Sequence, residues 1–248
     1  MANMRRRKIR IFNDYYEAGS EVSRDLHEMG VTNVVQSMQD IDTSGNEDLA
    51  ITKEVIGYCF TVLTHKRLDD MLNLFRKVPL ETAQAYIAAE LEDRVSGKRL
   101  NPGNAWQLRA DTWEQFMRKH GNEKFSYTYP ERMYNRINAV VRELETNPGT
   151  RQAIVDIYRG DLDMPSWGGN ARVPCSMYYQ FLLRDDKLNT IYTIRSNDLL
   201  EHFCYDLALA GGLQEHVAKQ VGVEVGDLVY FIGSLHAYKK DLDERGIF

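Results

Sequence analysis

Four short segments carry side chains that chemistry could use. Val173-Pro174-Cys175-Ser176 places a cysteine where a long glycine-rich loop, Gly160–Asn170, runs into a strand-like stretch. A thiol at such a junction can be partly exposed, and a reactive thiolate needs exposure and nearby positive charge. The ordinary alternative is a small buried hydrophobe, which most free cysteines are. Thr193-Ile194-Arg195-Ser196-Asn197-Asp198 ends a strand-like run and enters a helical pattern. Arg195 and Ser196 can donate to phosphate oxygens, and exposed backbone amides at a helix start would add to them. Asp198 serves equally well there as a helix cap. In Gly233-Ser234-Leu235-His236-Ala237-Tyr238, His236 and Tyr238 alternate, so in an extended chain both point to one face. Together they could hold a sugar hydroxyl, although such a pair is more often structural. Glu90, in Tyr86-Ile87-Ala88-Ala89-Glu90-Leu91-Glu92, lies beside the apolar stripe of a helix. On its own a surface carboxylate is the simpler reading, because buried unpaired carboxylates are rare. No CxxC or HExxH spacing suggests a metal, and neither a P-loop nor GxGxxG is present.

The elements that must position these side chains are mixed. Helical patterns cover roughly Phe12–Met29, Glu81–Val95, Thr112–His120, Glu131–Thr146 and Asn197–Gln220. In the fourth, Ile137, Val140, Val141 and Leu144 form one buried stripe, and Asn147-Pro148-Gly149 supplies the stop. Strand-like runs are Ala50–Leu63, Ala153–Tyr158, Met177–Leu183, Leu188–Ile194 and Asp227–Ile232, with Arg184–Lys187 of the right length for a hairpin. Turn residues dominate Asp42–Asp48, Ser96–Asn104 and Gly160–Asn170. Strands and helices without regular βαβ alternation predict an α+β domain, with helices packed on one large sheet.

A chain of 248 residues with 43% hydrophobic and 27% charged positions suits one globular domain with a sizeable core. A net charge of -5 argues against general nucleic-acid binding, which needs a basic face. Three cysteines (Cys59, Cys175, Cys204) make a poor disulfide framework, and the odd count favours a reducing cytoplasm. No apolar run approaches the ~18 residues of a membrane span, and Met1 to Arg10 lacks the apolar core of a signal peptide. The expectation is a cytoplasmic protein without membrane or nucleic-acid partners.

The four segments, in this order, resemble the thymidylate synthase superfamily, most strongly from Phe125 to Asp241 and more weakly from Glu81 to Gly121. The family's nucleophile motif falls on Pro174-Cys175, and its phosphate motif on Arg195-Ser196 with Asp198 following. Its sugar-binding His-x-Tyr falls on His236 and Tyr238, its catalytic glutamate on Glu90 and a substrate tyrosine on Tyr129. Trp113 matches a tryptophan lining the folate and substrate cavity. Each match alone is weak; their joint order and spacing are specific. The resemblance implies a single thymidylate synthase-like domain over residues 1–248, with 1–50 as a weakly aligned N-terminal extension and one large mixed sheet.

The most informative departure is Asp206, where thymidylate synthases have an asparagine whose amide reads the uracil edge. Uracil presents a carbonyl at position 4 and an N–H at position 3; cytosine presents an amino group and an acceptor. A carboxylate accepts from the amino group and, when protonated, also donates to N3, whereas the uracil carbonyl would repel it. Mispairing buried groups costs ~1–3 kcal/mol each, so Asp206 points to cytosine. Phage deoxycytidylate hydroxymethylases show the same substitution. Arg195-Ser196-Asn197-Asp198, Gly233-Ser234-Leu235-His236-x-Tyr238 and Tyr86-Ile87-x-x-Glu90-Leu91-Glu92 also look like them, and Ser176 stands where synthases place histidine.

That resemblance implies 5-hydroxymethylation of dCMP by 5,10-methylenetetrahydrofolate and water, through an adduct of Cys175 with C6. Addition of the thiolate makes C5 enamine-like, able to attack the folate methylene. A synthase then reduces the resulting exocyclic methylene with hydride; a hydroxymethylase adds water. Arg195 would hold the phosphate with Ser196 and favour the thiolate. Glu90 would organise water and move protons, Asp198 would contact the pterin, and Asp206 would read the base. The family dimerises and borrows phosphate arginines from the partner. Arg151 matches one; Gln152 stands where a second usually follows, and Arg24 is a weak counterpart of a third. Synthases continue past His-x-Tyr to a tail that closes over folate, where here Lys239–Phe248 follow, so the expectation is either a cavity more open to water or a cover supplied by the N-terminal region. The alternatives are a thymidylate synthase or dUMP hydroxymethylase, a CMP hydroxymethylase of nucleoside-antibiotic biosynthesis, and a catalytically inactive nucleotide-binding homologue. A phage modifying its own DNA in a host cytoplasm would suit the chemistry.

Overall fold

The computed structural model describes residues 10–35, 37–38, 41–42, 45–75, 78–118, 123–163 and 172–245. Parts of the expected loops Asp42–Asp48 and Gly160–Asn170, and the end of the expected helix Thr112–His120, lie outside the described residues. In chain order the elements are β1 (Arg10–Phe12), α1 (Tyr15–Met29), β2 (Val31–Val34), β3 (Ser37–Met38), β4 (Ile41–Asp42), α2 (Glu47–Ala50), β5 (Ile51–Val62), α3 (Leu68–Leu74) and α4 (Leu80–Val95). A 3-10 turn (Ala105–Arg109) leads into α5 (Ala110–Arg118), α6 (Tyr129–Met133) and α7 (Arg136–Thr146). Then come β6 (Ile154–Asp156), β7 (Ser176–Arg184), β8 (Lys187–Asp198), α8 (Phe203–Val221), β9 (Glu224–Tyr238) and α9 (Lys239–Arg245).

The large sheet runs β1-β5-β9-β8-β7-β6, with β2 on β5. The pairs β1–β5 and β8–β9 are parallel and the others antiparallel. This is the expected mixed sheet of an α+β fold. The hairpin between β7 and β8 turns on Asp185 and Asp186, both left-handed (φ 51° and 58°). Two positive φ values make the tight turn whose twist matches that of the strands, and Asp tolerates them better than most residues.

One face of the sheet carries a ladder of aromatic rings. Tyr179 and Tyr192 stack at 4.3 Å between centroids, Tyr192 and Tyr230 at 4.8 Å, and Phe60 meets Tyr230 edge-on. All four are fully buried, and fully burying a large apolar side chain contributes ~1.5–3 kcal/mol. The helix α8 is buried on nearly every side and shares this core with α1, α4 and α7. Its end is set by Gly222 at φ 78°, whose N–H reaches the Ala218 carbonyl. The register puts Phe231, Tyr178 and Ile154 on the opposite face, where they remain 41%, 36% and 44% exposed. Among the described residues no helix is long and apolar enough to cross a membrane.

Four boundaries differ from expectation, each for a non-local or conformational reason. Phe12 is not helical: β1 pairs in parallel with Phe60–Val62, and α1 starts after Asp14, whose carboxylate accepts from the Glu17 N–H at 2.9 Å. The expected helix Glu131–Thr146 is two, broken where Asn135 is left-handed (φ 60°). The helix expected from Asn197 begins only at Phe203, because β9 holds β8 in register as far as Asp198, opposite His236. The helix-start amides expected beside Arg195 are therefore absent there. The strand expected to end at Ile232 continues to Tyr238, so the His-x-Tyr pair lies within β9. The helix α3 was not expected at all.

Candidate active site

The C-terminal ends of β8 and β9 open onto a cavity of about 500 Å³. Cys175 reaches it half-buried from the loop before β7, and Arg195 of β8 holds that loop in place. The Arg195 backbone N–H donates to the Cys175 carbonyl (2.8 Å). Its guanidinium donates to the carbonyls of Pro174 (2.9 Å) and Val173 (3.1 Å) and lies 3.8 Å from the Cys175 sulfur. Gly233 allows this: a Cβ there would come within 2.6 Å of the Arg195 carbonyl oxygen. One cation thus both braces the loop that carries Cys175 and faces its thiol.

Ser196, Asn197, Asp198, Asp206, His236, Tyr238, Tyr129 and Trp113 also line this cavity. Asp198 accepts from the N–H groups of Leu200 (3.0 Å) and Glu201 (3.2 Å), capping the turn before α8 rather than the helix itself. Burial raises its pKa, opposed by the charge of His236. The His236 and Tyr238 rings, on one face of β9, meet edge to face at 5.7 Å. Tyr129 lies beneath the Arg94 guanidinium (4.1 Å) and accepts from the Ser176 hydroxyl (3.3 Å). Trp113 contacts Phe116, Phe125 and His202.

Asp206, in the first turn of α8, is a second carboxyl of the cavity. Burial raises its pKa from 3.8 to about 6, against the charges of Arg94 and Arg109 and the hydrogen bond from Asn197; Glu90 pushes it up further. The Asn197 amide donates to Asp206 Oδ2 at 2.7 Å, and the Tyr230 hydroxyl donates to Asn197 Oδ1 at 3.1 Å.

Two expected site residues lie apart. Glu90 does not line the main cavity; it borders an adjoining recess of about 60 Å³ with Trp113 and Tyr129, and accepts from Arg94 Nε at 2.8 Å. Arg151 is exposed ahead of β6 and does not line the cavity of its own chain.

Several lining residues had no assignment in the sequence. Arg94 is buried and paired to Glu90 one helical turn away, a spacing that could have flagged it. Arg109 lies between the rings of Tyr86 and Tyr205 and bonds Glu201 at 2.8 Å. Arg172 sits over Tyr127 at 4.5 Å, and over Phe116 and Trp113 at 5.1 and 5.4 Å. Among the described residues no group of three or more His, Cys, Asp or Glu side chains could hold a metal ion.

At one cavity the sheet thus gathers Cys175, the Arg195 guanidinium facing it, and the His236–Tyr238 pair. Thymidylate synthase is matched over residues 33–245, and the chain belongs to that family. The thymidylate synthase of Cereibacter sphaeroides is 27% identical over 179 residues, which are 71% of this chain and 58% of that protein. That of Rhodopseudomonas palustris is 33% identical over 114 residues, 46% of this chain and 37% of that protein. The chain thus spans less than two thirds of the length of these relatives. Thermostable thymidylate synthase A from Bacillus subtilis shares the fold, with a TM-score of 0.66 over 95% of this chain and 83% of that one, at 19% identity.

Proposed function

We propose that this chain hydroxymethylates a cytosine nucleotide, converting dCMP, 5,10-methylenetetrahydrofolate and water to 5-hydroxymethyl-dCMP and tetrahydrofolate. The observation that carries the reading is Asp206, a carboxyl facing the same cavity as Cys175 and Arg195. With a pKa of about 6 it is mainly ionised at neutral pH, an acceptor for an exocyclic amino group. Close to that pH it also takes up the proton that N3 of cytosine can accept. The uracil carbonyl offers no proton to the ionised carboxylate, the form that prevails at neutral pH.

Cys175 is the proposed nucleophile toward C6, with the Arg195 charge at 3.8 Å favouring the thiolate. Arg195 and Ser196 face the phosphate, His236 and Tyr238 the sugar, and Tyr129 the nucleotide. The folate supplies the one-carbon unit; the Trp113 wall and Asp198 would hold its ring system. Glu90, held by Arg94, would organise water from the adjoining recess and move protons. The uncovered sheet face bearing Phe231, Tyr178 and Ile154 supports a homodimer. In such a dimer, exposed Arg151 would serve the partner's phosphate rather than its own chain's.

The test is tritium release from C5 of dCMP, CMP and dUMP in parallel, each with methylenetetrahydrofolate, followed by product mass. Release from dCMP with a hydroxymethyl product is expected. Preference for dUMP would overturn Asp206 as base reader, and a methyl product would overturn water as the final nucleophile. Preference for CMP would keep the chemistry and change the sugar. Binding without release from any nucleotide would mark an inactive homologue.

A further inference from the structure

The carboxyl proposed to read the base is held by a second side chain, and that side chain by a third. Asn197 lines the cavity beside Asp206 and is itself 2% exposed. Its amide can sit in two orientations of nearly equal shape, with opposite consequences. With the amino group toward Asp206, it stabilises the carboxylate and leaves that group an acceptor for the base. With the carbonyl toward Asp206, it repels the carboxylate and draws the proton of the neutral acid to itself, so the group loses the negative charge that attracts the amino group of the base. Tyr230 decides between them. Its hydroxyl is 3.1 Å from Asn197 Oδ1, while Asn197 Nδ2 is 2.7 Å from Asp206 Oδ2. Turning the amide over would remove the acceptor that the Tyr230 proton has among the described residues, and a buried donor without acceptor is costly. The ring cannot yield, being fully buried and stacked against Tyr192 at 4.8 Å.

We propose that Tyr230 is a positioning residue for base selection, fixing the Asn197 amide so that Asp206 meets the base as an acceptor and cytosine is preferred over uracil. This rests on the reading of Asp206 as base reader. It places part of the specificity in β9, in a residue that does not line the cavity.

The test is the ratio of dissociation constants for dCMP and dUMP, measured without folate by equilibrium dialysis, for the wild type, Tyr230→Phe, Asn197→Ala and the double variant. Tyr230→Phe removes one hydroxyl and keeps the stacked ring, so the aromatic ladder stays filled; urea unfolding of each variant checks this. On the order of a tenfold loss of cytosine preference is expected in Tyr230→Phe, in line with one freed buried hydrogen bond. In the Asn197→Ala background the same change should have little further effect, because its route runs through Asn197. An unchanged ratio in Tyr230→Phe overturns the proposal, as does an equal drop with and without Asn197. A wild type that prefers dUMP would sink the Asp206 reading and this inference together. A wild type that prefers dCMP beside an unchanged Tyr230→Phe would sink this inference alone.

Discussion

Replacing Asp206 by asparagine separates base recognition from the cost of enclosing a carboxyl. Burial lifts this group from 3.8 to about 6, a difference worth roughly 3 kcal/mol. The folded state therefore holds the proton more tightly than the unfolded chain. The stability contributed by the neutral acid is full below 3.8 and is lost as pH rises through about 6. Asp206→Asn has no such titration, so its urea midpoint should exceed that of the wild type at pH 8, by up to roughly 3 kcal/mol of stability, with most of this gone at pH 4. Recognition should move the other way. Asn197 Nδ2 already donates to Oδ2 of residue 206, so the new amide keeps its oxygen there and turns its amino group to the cavity. That donor suits the uracil carbonyl and opposes the cytosine amino group, a change of ~1–3 kcal/mol per mispaired contact. Nucleotide binding measured at pH 8, with dCMP and dUMP side by side, should reverse in order. Continued preference for dCMP, or a stability gain equal at pH 4 and pH 8, would refute the reasoning.

Two further substitutions test the frame around the site. Gly233→Ala drives a methyl to 2.6 Å from the Arg195 carbonyl between parallel strands, so stability should fall by ~1–3 kcal/mol and phosphate binding should weaken with it; an unchanged urea midpoint would show that β8 and β9 part freely. Arg94→Ala strips Glu90 of its 2.8 Å partner in a nearly closed setting and should cost ~3–5 kcal/mol, with part of that loss recovered when Glu90→Ala is added; a single-variant loss below ~1 kcal/mol in denaturant unfolding would contradict the pairing.

What could be read from the sequence and what could not divide along one line, the distance over which a residue's state is decided. Cys175, Arg195, His236 and Tyr238 were reached by motif order, and one cavity gathers them. Phe12 and Asn197–Asp198 carry helical sequence patterns, yet strand is imposed on them by β5 and β9, partners far along the chain. The Arg109–Glu201 pair spans 92 positions, and the aromatic setting of Arg172 draws on Trp113, Phe116 and Tyr127; neither leaves a local trace. Arg94 is the instructive exception, since its i,i+4 spacing from Glu90 was visible and carried no motif to attract notice. Asp206 shows both halves in one side chain. Its type could be read, and with it the donor pattern proposed for the base. Its proton affinity could not, because Arg94 from α4, Arg109 from the 3-10 turn and Asn197 from β8 set it together. A motif names the atom that meets the substrate, but the charge that atom carries at working pH belongs to the packed fold.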